Sequence, residues 1–217
     1  MTERSRDGEY AGTNFTYIHN FGGKGHEIKS EFNFRYNDGD ESTLTESRNG
    51  DIILEGKETT EFGPSRDLEL KIDYTLPFLE VKRIEAGYEA ELENSDENNG
   101  LYLYDSLSSQ YINQPQFSNS VNYINNYQAL YATYMDQFGN FGIQGGLRTE
   151  YSYRTITLLD PSEEYKIQRW DYFPTLHTSY KFSEGTQLMA SYSRRIQRPR
   201  GWELEPFHTW TDANNVR

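Results

Sequence analysis

Residues 84–93 read IEAGYEAELE, a stretch in which apolar and charged side chains alternate. The even positions hold Ile84, Ala86, Tyr88, Ala90 and Leu92, and the odd positions hold four glutamates and Gly87. Successive side chains of a β-strand point to opposite faces of the sheet. A period of two therefore predicts a strand here, with one apolar and one ionised face.

The same alternation recurs along most of the chain and predicts eight strands in all. Five further segments show it clearly: 27–37, 67–74, 141–154, 176–182 and 187–196. Two others are less regular: 9–20, with Phe15 and Tyr17, and 120–134, with Val121, Tyr123, Tyr127, Ala129 and Tyr131. We expect an all-β fold, an antiparallel meander of about eight strands that forms part of a transmembrane β-barrel.

Composition narrows the class of protein. The chain has 217 residues, with 21 basic and 34 acidic ones, and a net charge of −13. This balance argues against nucleic acid as a partner, because phosphate binding relies on lysine and arginine. Only 35% of the residues are apolar, yet 15% are aromatic, whereas disordered chains are poor in aromatic residues. The combination favours a β-structure with one apolar, tyrosine-rich face and one polar face.

Several sequence signals are missing. The chain contains no cysteine, which excludes disulfides and thiol chemistry, and its first ten residues carry no export signal. No stretch approaches the roughly 20 apolar residues that a membrane helix needs. A transmembrane β-barrel needs no such stretch, because its strands are only about 9–11 residues long and alternate in polarity.

The predicted connections alternate in length. Short turns are expected at 21–27, 76–82, 135–140 and 182–186, and longer loops at 37–63, 93–119 and 158–166. All short turns then lie at one end of the sheet, which is typical of outer-membrane barrels. A soluble antiparallel sandwich is the alternative, but its strands are usually only about five to six residues long.

The placement of the chain ends predicts a partial barrel. If the short turns are periplasmic, both chain ends lie outside the cell, whereas a complete barrel has both ends on the periplasmic side. We therefore expect residues 1–217 to form a single partial outer-membrane β-barrel domain without a plug domain. An independent eight-stranded barrel is the alternative.

The segment 172–207 carries a specific motif, in which a Phe-Pro strand leads through a short turn to SYSRRIQRP and then to a Trp-x-Leu-x-Pro-Phe string. The motif positions are Phe173, Pro174, Leu176, Ser179, Tyr180, Leu188, Ser191, Tyr192, Ser193, Arg194, Arg195, Ile196, Arg198, Pro199, Trp202, Leu204, Pro206 and Phe207. This block resembles the C-terminal barrel of TonB-dependent receptors of the Bacteroidetes outer membrane protein β-barrel type. The segments 73–78, 85–92 and 141–152 are similar to further parts of the same barrels.

The resemblance implies a role for the chain. Such receptors have about 22 strands and a plug domain, and they import a scarce nutrient across the bacterial outer membrane with energy from TonB. This chain would supply wall strands and loops that contact membrane lipid, the remaining strands and the plug, without cofactor or chemistry of its own. The alternatives are a small structural or adhesive barrel that does not transport, and a soluble antiparallel β-domain that binds carbohydrate.

Two sets of candidate site residues follow. The charged face is expected to line the lumen, through Glu27, Arg35, Asp73, Glu89, Arg148, Glu150 and Arg195. The external aromatic residues are candidates for stacking on a ligand or for packing loops together: Trp202, Phe207, Trp210, Tyr102, Tyr104 and Tyr111. No catalytic motif is present, and we expect neither an enzyme nor a metal site; the acidic segment 95–100 lacks the first aspartate of a calcium loop.

Overall fold

The computed structural model describes residues 1–23, 25–79, 81–159 and 162–198. Within these ranges most residues are in β-strands. The strands are β1 (Thr2–Asn20), β2 (Glu27–Asn49), β3 (Ile52–Pro77), β4 (Arg83–Asp105), β5 (Gln110–Asn113), β6 (Asn119–Phe138), β7 (Phe141–Leu159), β8 (Ser162–Ser183) and β9 (Thr186–Ser193). A single turn of 3-10 helix, Pro115–Phe117, precedes β6. No helix in the described part of the chain is long and apolar enough to span a membrane.

The strands form one sheet in the order β1-β2-β3-β4-β6-β7-β8-β9, and β5 pairs with β4. Every neighbouring pair is antiparallel. The predicted all-β antiparallel meander is therefore confirmed, and all eight predicted strands are present. The short strand β5 is additional.

The segment 37–63, predicted as a long loop, is instead a continuous hairpin. β2 extends to Asn49 and β3 begins at Ile52, so only a two-residue turn separates them, with Gly50 at a φ of 64°. Both faces of this hairpin are largely polar, so it lacks the apolar row that reveals a strand in a sequence. The dipeptide Gly50–Asp51 was the available signal, because Gly followed by Asp is among the dipeptides that two-residue hairpin turns favour.

The other two predicted long loops are also mostly strand. β4 continues to Asp105 through most of the predicted loop 93–119, and the chain returns through β5 and the 3-10 helix. β7 reaches Leu159 and β8 begins at Ser162, within the predicted loop 158–166. β3 alone has 26 residues, or about 85 Å at ~3.3 Å per residue, whereas about 9–11 residues suffice to cross a bilayer. One end of the sheet therefore extends well beyond a membrane.

The sheet has two chemically different faces. The apolar face carries the even-numbered residues of β2, β3, β4 and β6, the odd-numbered residues of β7 and the even-numbered residues of β8 and β9. Its large side chains stay exposed: Leu130 (63%), Leu147 (50%), Trp170 (61%) and Leu188 (62%). The opposite, polar face is crowded although no second layer covers it in the described residues, and there Glu150 and Asp171 are each only 5% exposed. Crowding on one side of a single sheet indicates that the sheet curves towards its polar face.

The described sheet is open. β1 and β9 lie at its two ends, and within the described residues they pair only with β2 and β8 respectively. Every residue of β1 is exposed. Each end strand therefore presents a row of main-chain groups that is free to pair with a further strand.

Candidate functional site: the polar face of the sheet

Six of the seven residues expected to line a lumen lie on the polar face. The registers of β2 to β7 place Glu27, Arg35, Asp73, Glu89, Arg148 and Glu150 on the same side of the sheet. The seventh, Arg195, lies beyond the end of β9, which stops at Ser193 and not at residue 196 as predicted. No ladder fixes the face to which Arg195 points, and the lumen-facing assignment itself stays a prediction for all seven.

Arg148 lies at the centre of the polar face. Its Nη2 donates to Glu89 Oε2 at 2.9 Å, and its Nε donates to Glu150 Oε1 at 2.5 Å. The same guanidinium donates to the hydroxyl of Tyr127 at 2.5 Å, and it lies 5.1 Å from the ring centre of Tyr131. Tyr127 in turn donates to Glu150 at 2.6 Å. One side chain thus connects β4, β6 and β7, with its charge matched by carboxylates on either side.

Tyr131 extends this arrangement to β3. Its hydroxyl donates to Asp73 Oδ1 at 2.5 Å. The ring lies over Gly87, where a Cβ atom would collide with the phenol. A glycine at this position lets the ring pack flat on the neighbouring strand. The less regular alternation of segment 120–134 assigned Tyr127 and Tyr131 to neither face; the register places both on the polar face, where their hydroxyls bind carboxylates.

Two buried carboxylates face each other across β7 and β8. Glu150 and Asp171 are directly opposed in the register, and each is paired with an arginine two residues away in its own strand. Arg169 binds Asp171 at 2.5 and 2.8 Å. Arg198 contacts both acids through Nη2, at 2.5 Å from Glu150 Oε2 and 3.2 Å from Asp171 Oδ2.

These contacts join six charged groups in a row of alternating sign, which we call the arginine network: Glu89, Arg148, Glu150, Arg198, Asp171 and Arg169. Its three carboxylates balance its three guanidinium groups. Asp171 and the inward position of Arg198 were not among the predicted site residues. The sequence places Arg198 in an arginine-rich segment after the last strand, and only the three-dimensional register brings it beside Glu150.

Arg35 forms a separate and more exposed pair on β2 and β3. Its Nη2 lies 2.7 Å from Glu69 and its Nε lies 3.7 Å from Asp67, while 45% of its side chain is exposed. Exposed ion pairs of this kind contribute about 0–1 kcal/mol to stability. We therefore expect the arginine network, and not the Arg35 pair, to make the larger contribution to stability on the polar face.

The predictions for the candidate ligand-stacking aromatic residues have different outcomes. Tyr102 and Tyr104 lie in β4 and not in a loop. Tyr104 packs against Tyr111 of β5 with ring centres 5.5 Å apart, and both cover Gly56. The Tyr111 hydroxyl donates to the buried Glu46 carboxylate at 2.7 Å. These contacts favour the packing role for this pair. Trp202, Phe207 and Trp210 lie outside the described residues.

The contact between Tyr111 and Glu46, beyond the apolar band, leads to a pH prediction. Burial and the hydrogen bond to Glu46 raise the pKa of Tyr111 to about 12 from its usual 10.0. Because the folded pKa is the higher one, the stabilisation is complete below pH 10 and is lost as pH rises towards about 12. A tyrosinate absorbance titration of the wild type minus Tyr111→Phe should show this late step. Glu46→Gln should move the step to lower pH; a difference signal centred near pH 10 in the wild type would contradict the assignment.

A single curved antiparallel sheet with an exposed apolar face and a charged opposite face has the construction of a membrane β-barrel wall. Residues 19–217 match the model of the outer membrane protein beta-barrel family, so the chain belongs to this family and to the bacterial outer membrane. Membership also removes the soluble carbohydrate-binding alternative.

The comparisons with curated proteins and with solved structures differ in outcome. Among curated proteins none matches the chain. Among solved structures, it is similar to the unliganded ferric citrate transporter FecA, with 14% identity and a TM-score of 0.43. The match covers 85% of this chain and 27% of that one, so the chain spans about a quarter of the transporter's length.

Proposed function

We propose that this chain is a wall segment of an outer-membrane transporter of the TonB-dependent receptor type, whose parent protein takes up a nutrient. The observation that carries the proposal is the polar face, where the arginine network crosses β4, β7 and β8 on the crowded side of the sheet. A lipid-facing side chain could not keep these charges, so they belong to the side that faces a lumen. The resemblance of segment 172–207 to TonB-dependent receptors is the reason for proposing this type of transporter.

The open sheet supports a partial barrel. Main-chain groups in hydrocarbon must all be hydrogen-bonded within the protein, because the bilayer core holds no water. The outer edges of β1 and β9 do not meet that condition within the described sheet. We therefore propose that further strands of the parent protein pair with these edges, and that residues 1–217 are one part of its barrel domain.

The proposed role assigns partners to each surface. The apolar face contacts membrane lipid, the polar face contacts the plug domain and passing solute, and TonB supplies energy through the plug. The wall itself performs no bond-making chemistry. Nutrient binding falls to the plug and the external segments, and Tyr102 remains a candidate for contact with the nutrient.

Uptake measurements test this proposal. A strain without the parent gene should lose growth on one poorly diffusing nutrient from a panel of ferric chelates and oligosaccharides. The restored gene should rescue growth, and dissipating the inner-membrane proton gradient should abolish uptake again. Uptake that persists without the gradient would indicate a passive channel, and unchanged growth on every nutrient would favour a structural or adhesive barrel.

A further inference from the structure

The segment 194–198 leaves the sheet because of Pro174 in β8. β8 begins at Ser162, but its ladder with β9 starts only at Thr175. At the last contact, Arg194 N donates to the carbonyl of Pro174 at 3.3 Å. The main-chain groups of Pro174 therefore face β9, and proline has no N–H to return the second bond of the pair. The ladder ends here, and the following residues are released from it.

The side chain of Arg198 nevertheless contacts the polar face of the sheet. Its guanidinium lies 5.3 Å from the ring centre of Tyr127 and 5.9 Å from that of Phe173. It also contacts Glu150 and Asp171, each 5% exposed. Like charges directly opposed on neighbouring strands are destabilising, so a cation between these two carboxylates offsets their repulsion.

We propose that Glu150, Asp171, Tyr127 and Phe173 form a binding site for one guanidinium group, and that Arg198 fills it as a releasable latch. The latch holds segment 194–198 against the polar face. A planar guanidinium suits this site better than an ammonium ion, because it packs on aromatic rings and is less strongly hydrated. This inference goes beyond the proposed function, since it concerns the site itself and holds whatever the barrel transports.

The latch is releasable because little else holds the segment. Residues 194–197 are exposed, and in the described part of the chain the last main-chain hydrogen bond to β8 is the one at Arg194. Glu150 and Asp171 each keep a strand arginine as partner when Arg198 leaves. Opening therefore does not strip either carboxylate of all its countercharge.

A spin label on the segment tests the latch in the intact protein in outer membranes. The chain contains no cysteine, so Gln197→Cys, at an exposed position, gives a single labelling site in this chain. Adding Arg198→Ala should shorten the rotational correlation time of the label roughly two- to fivefold, because an untethered segment moves on the nanosecond timescale. Arg194→Ala, a matched arginine in the same segment, should leave the label unchanged.

A competition experiment tests the guanidinium site without changing Arg198. Methylguanidinium at about 100 mM exceeds the millimolar effective concentration of a short tether, so it should displace Arg198 and mobilise the label. Methylammonium at the same concentration should not, because an ammonium ion is more strongly hydrated and lacks the planar fork.

Three results would overturn the proposal. A label that stays restricted in Arg198→Ala would show that something else holds the segment. If methylguanidinium and methylammonium mobilised the label equally, ionic screening alone would explain the effect. A label in the unsubstituted segment that is already fully mobile would mean that no latch forms. The competition arm remains decisive even if Arg198→Ala does not fold.

Discussion

Replacing Arg148 with methionine should lower the free energy of unfolding by about 3 kcal/mol, the low end of the range for breaking a buried ion pair. The low end applies because 28% of the side chain is exposed and water screens part of the loss. Methionine keeps much of the packing but leaves Glu150, only 5% exposed, without its closest strand arginine. The measurement is a urea titration of the protein in lipid vesicles, followed by tryptophan fluorescence.

Arg83→Met is the matched control for this prediction. Arg83 also lies on the polar face, but among the described residues it binds a single carboxylate, Glu85, at 3.0 Å, and 47% of its side chain is exposed. Its loss should cost less than about 1 kcal/mol. Arg148→Lys should fall between the two variants, because an ammonium group cannot reproduce the fork that binds Glu89 and Glu150 together. Equal midpoints for Arg148→Met and Arg83→Met would show that the network contributes no more than a surface pair.

Leu147→Arg should lower the free energy of unfolding in a bilayer by about 2–4 kcal/mol, because a lipid-facing charge near the midplane loses its hydration. Leu147 is the seventh residue of β7, close to the middle of the roughly 9–11 residues with which a strand crosses a bilayer. Leu147 lies on the apolar face of β7 and is 50% exposed, with Ala132 and Pro174 as its cross-strand neighbours. An exposed site in water would instead tolerate the change within about 0.5 kcal/mol. The same titration in vesicles measures the difference.

Gln144→Arg separates membrane exposure from a general effect of added charge. Gln144 lies three residues earlier in β7, on the polar face beside His177 and Met135. We expect its substitution to change the stability by less than about 0.5 kcal/mol, because the added charge stays in contact with water. If Leu147→Arg were as well tolerated as Gln144→Arg, the apolar face would not be the lipid-facing one.

Alternation predicted the strands reliably only where one face is apolar. Segments such as 84–93 lie within strands of the expected type, and their faces agree with the register. The same method missed the hairpin around Gly50, because polar residues occupy both of its faces and erase the period of two. It assigned no face to Tyr127 and Tyr131, whose rings look apolar in a sequence but whose hydroxyls bind Glu150 and Asp73 on the polar face.

The sequence by itself determined the class of protein: an antiparallel sheet with one apolar and one charged face, and a motif that matches an outer-membrane family. These are local properties, since the direction of each side chain follows from its position along its own strand. Only the tertiary structure decided that Glu150 and Asp171 are opposed and that Arg198 lies between them. Their meeting depends on the registers of β7 and β8 and on where β9 ends, which no local pattern specifies.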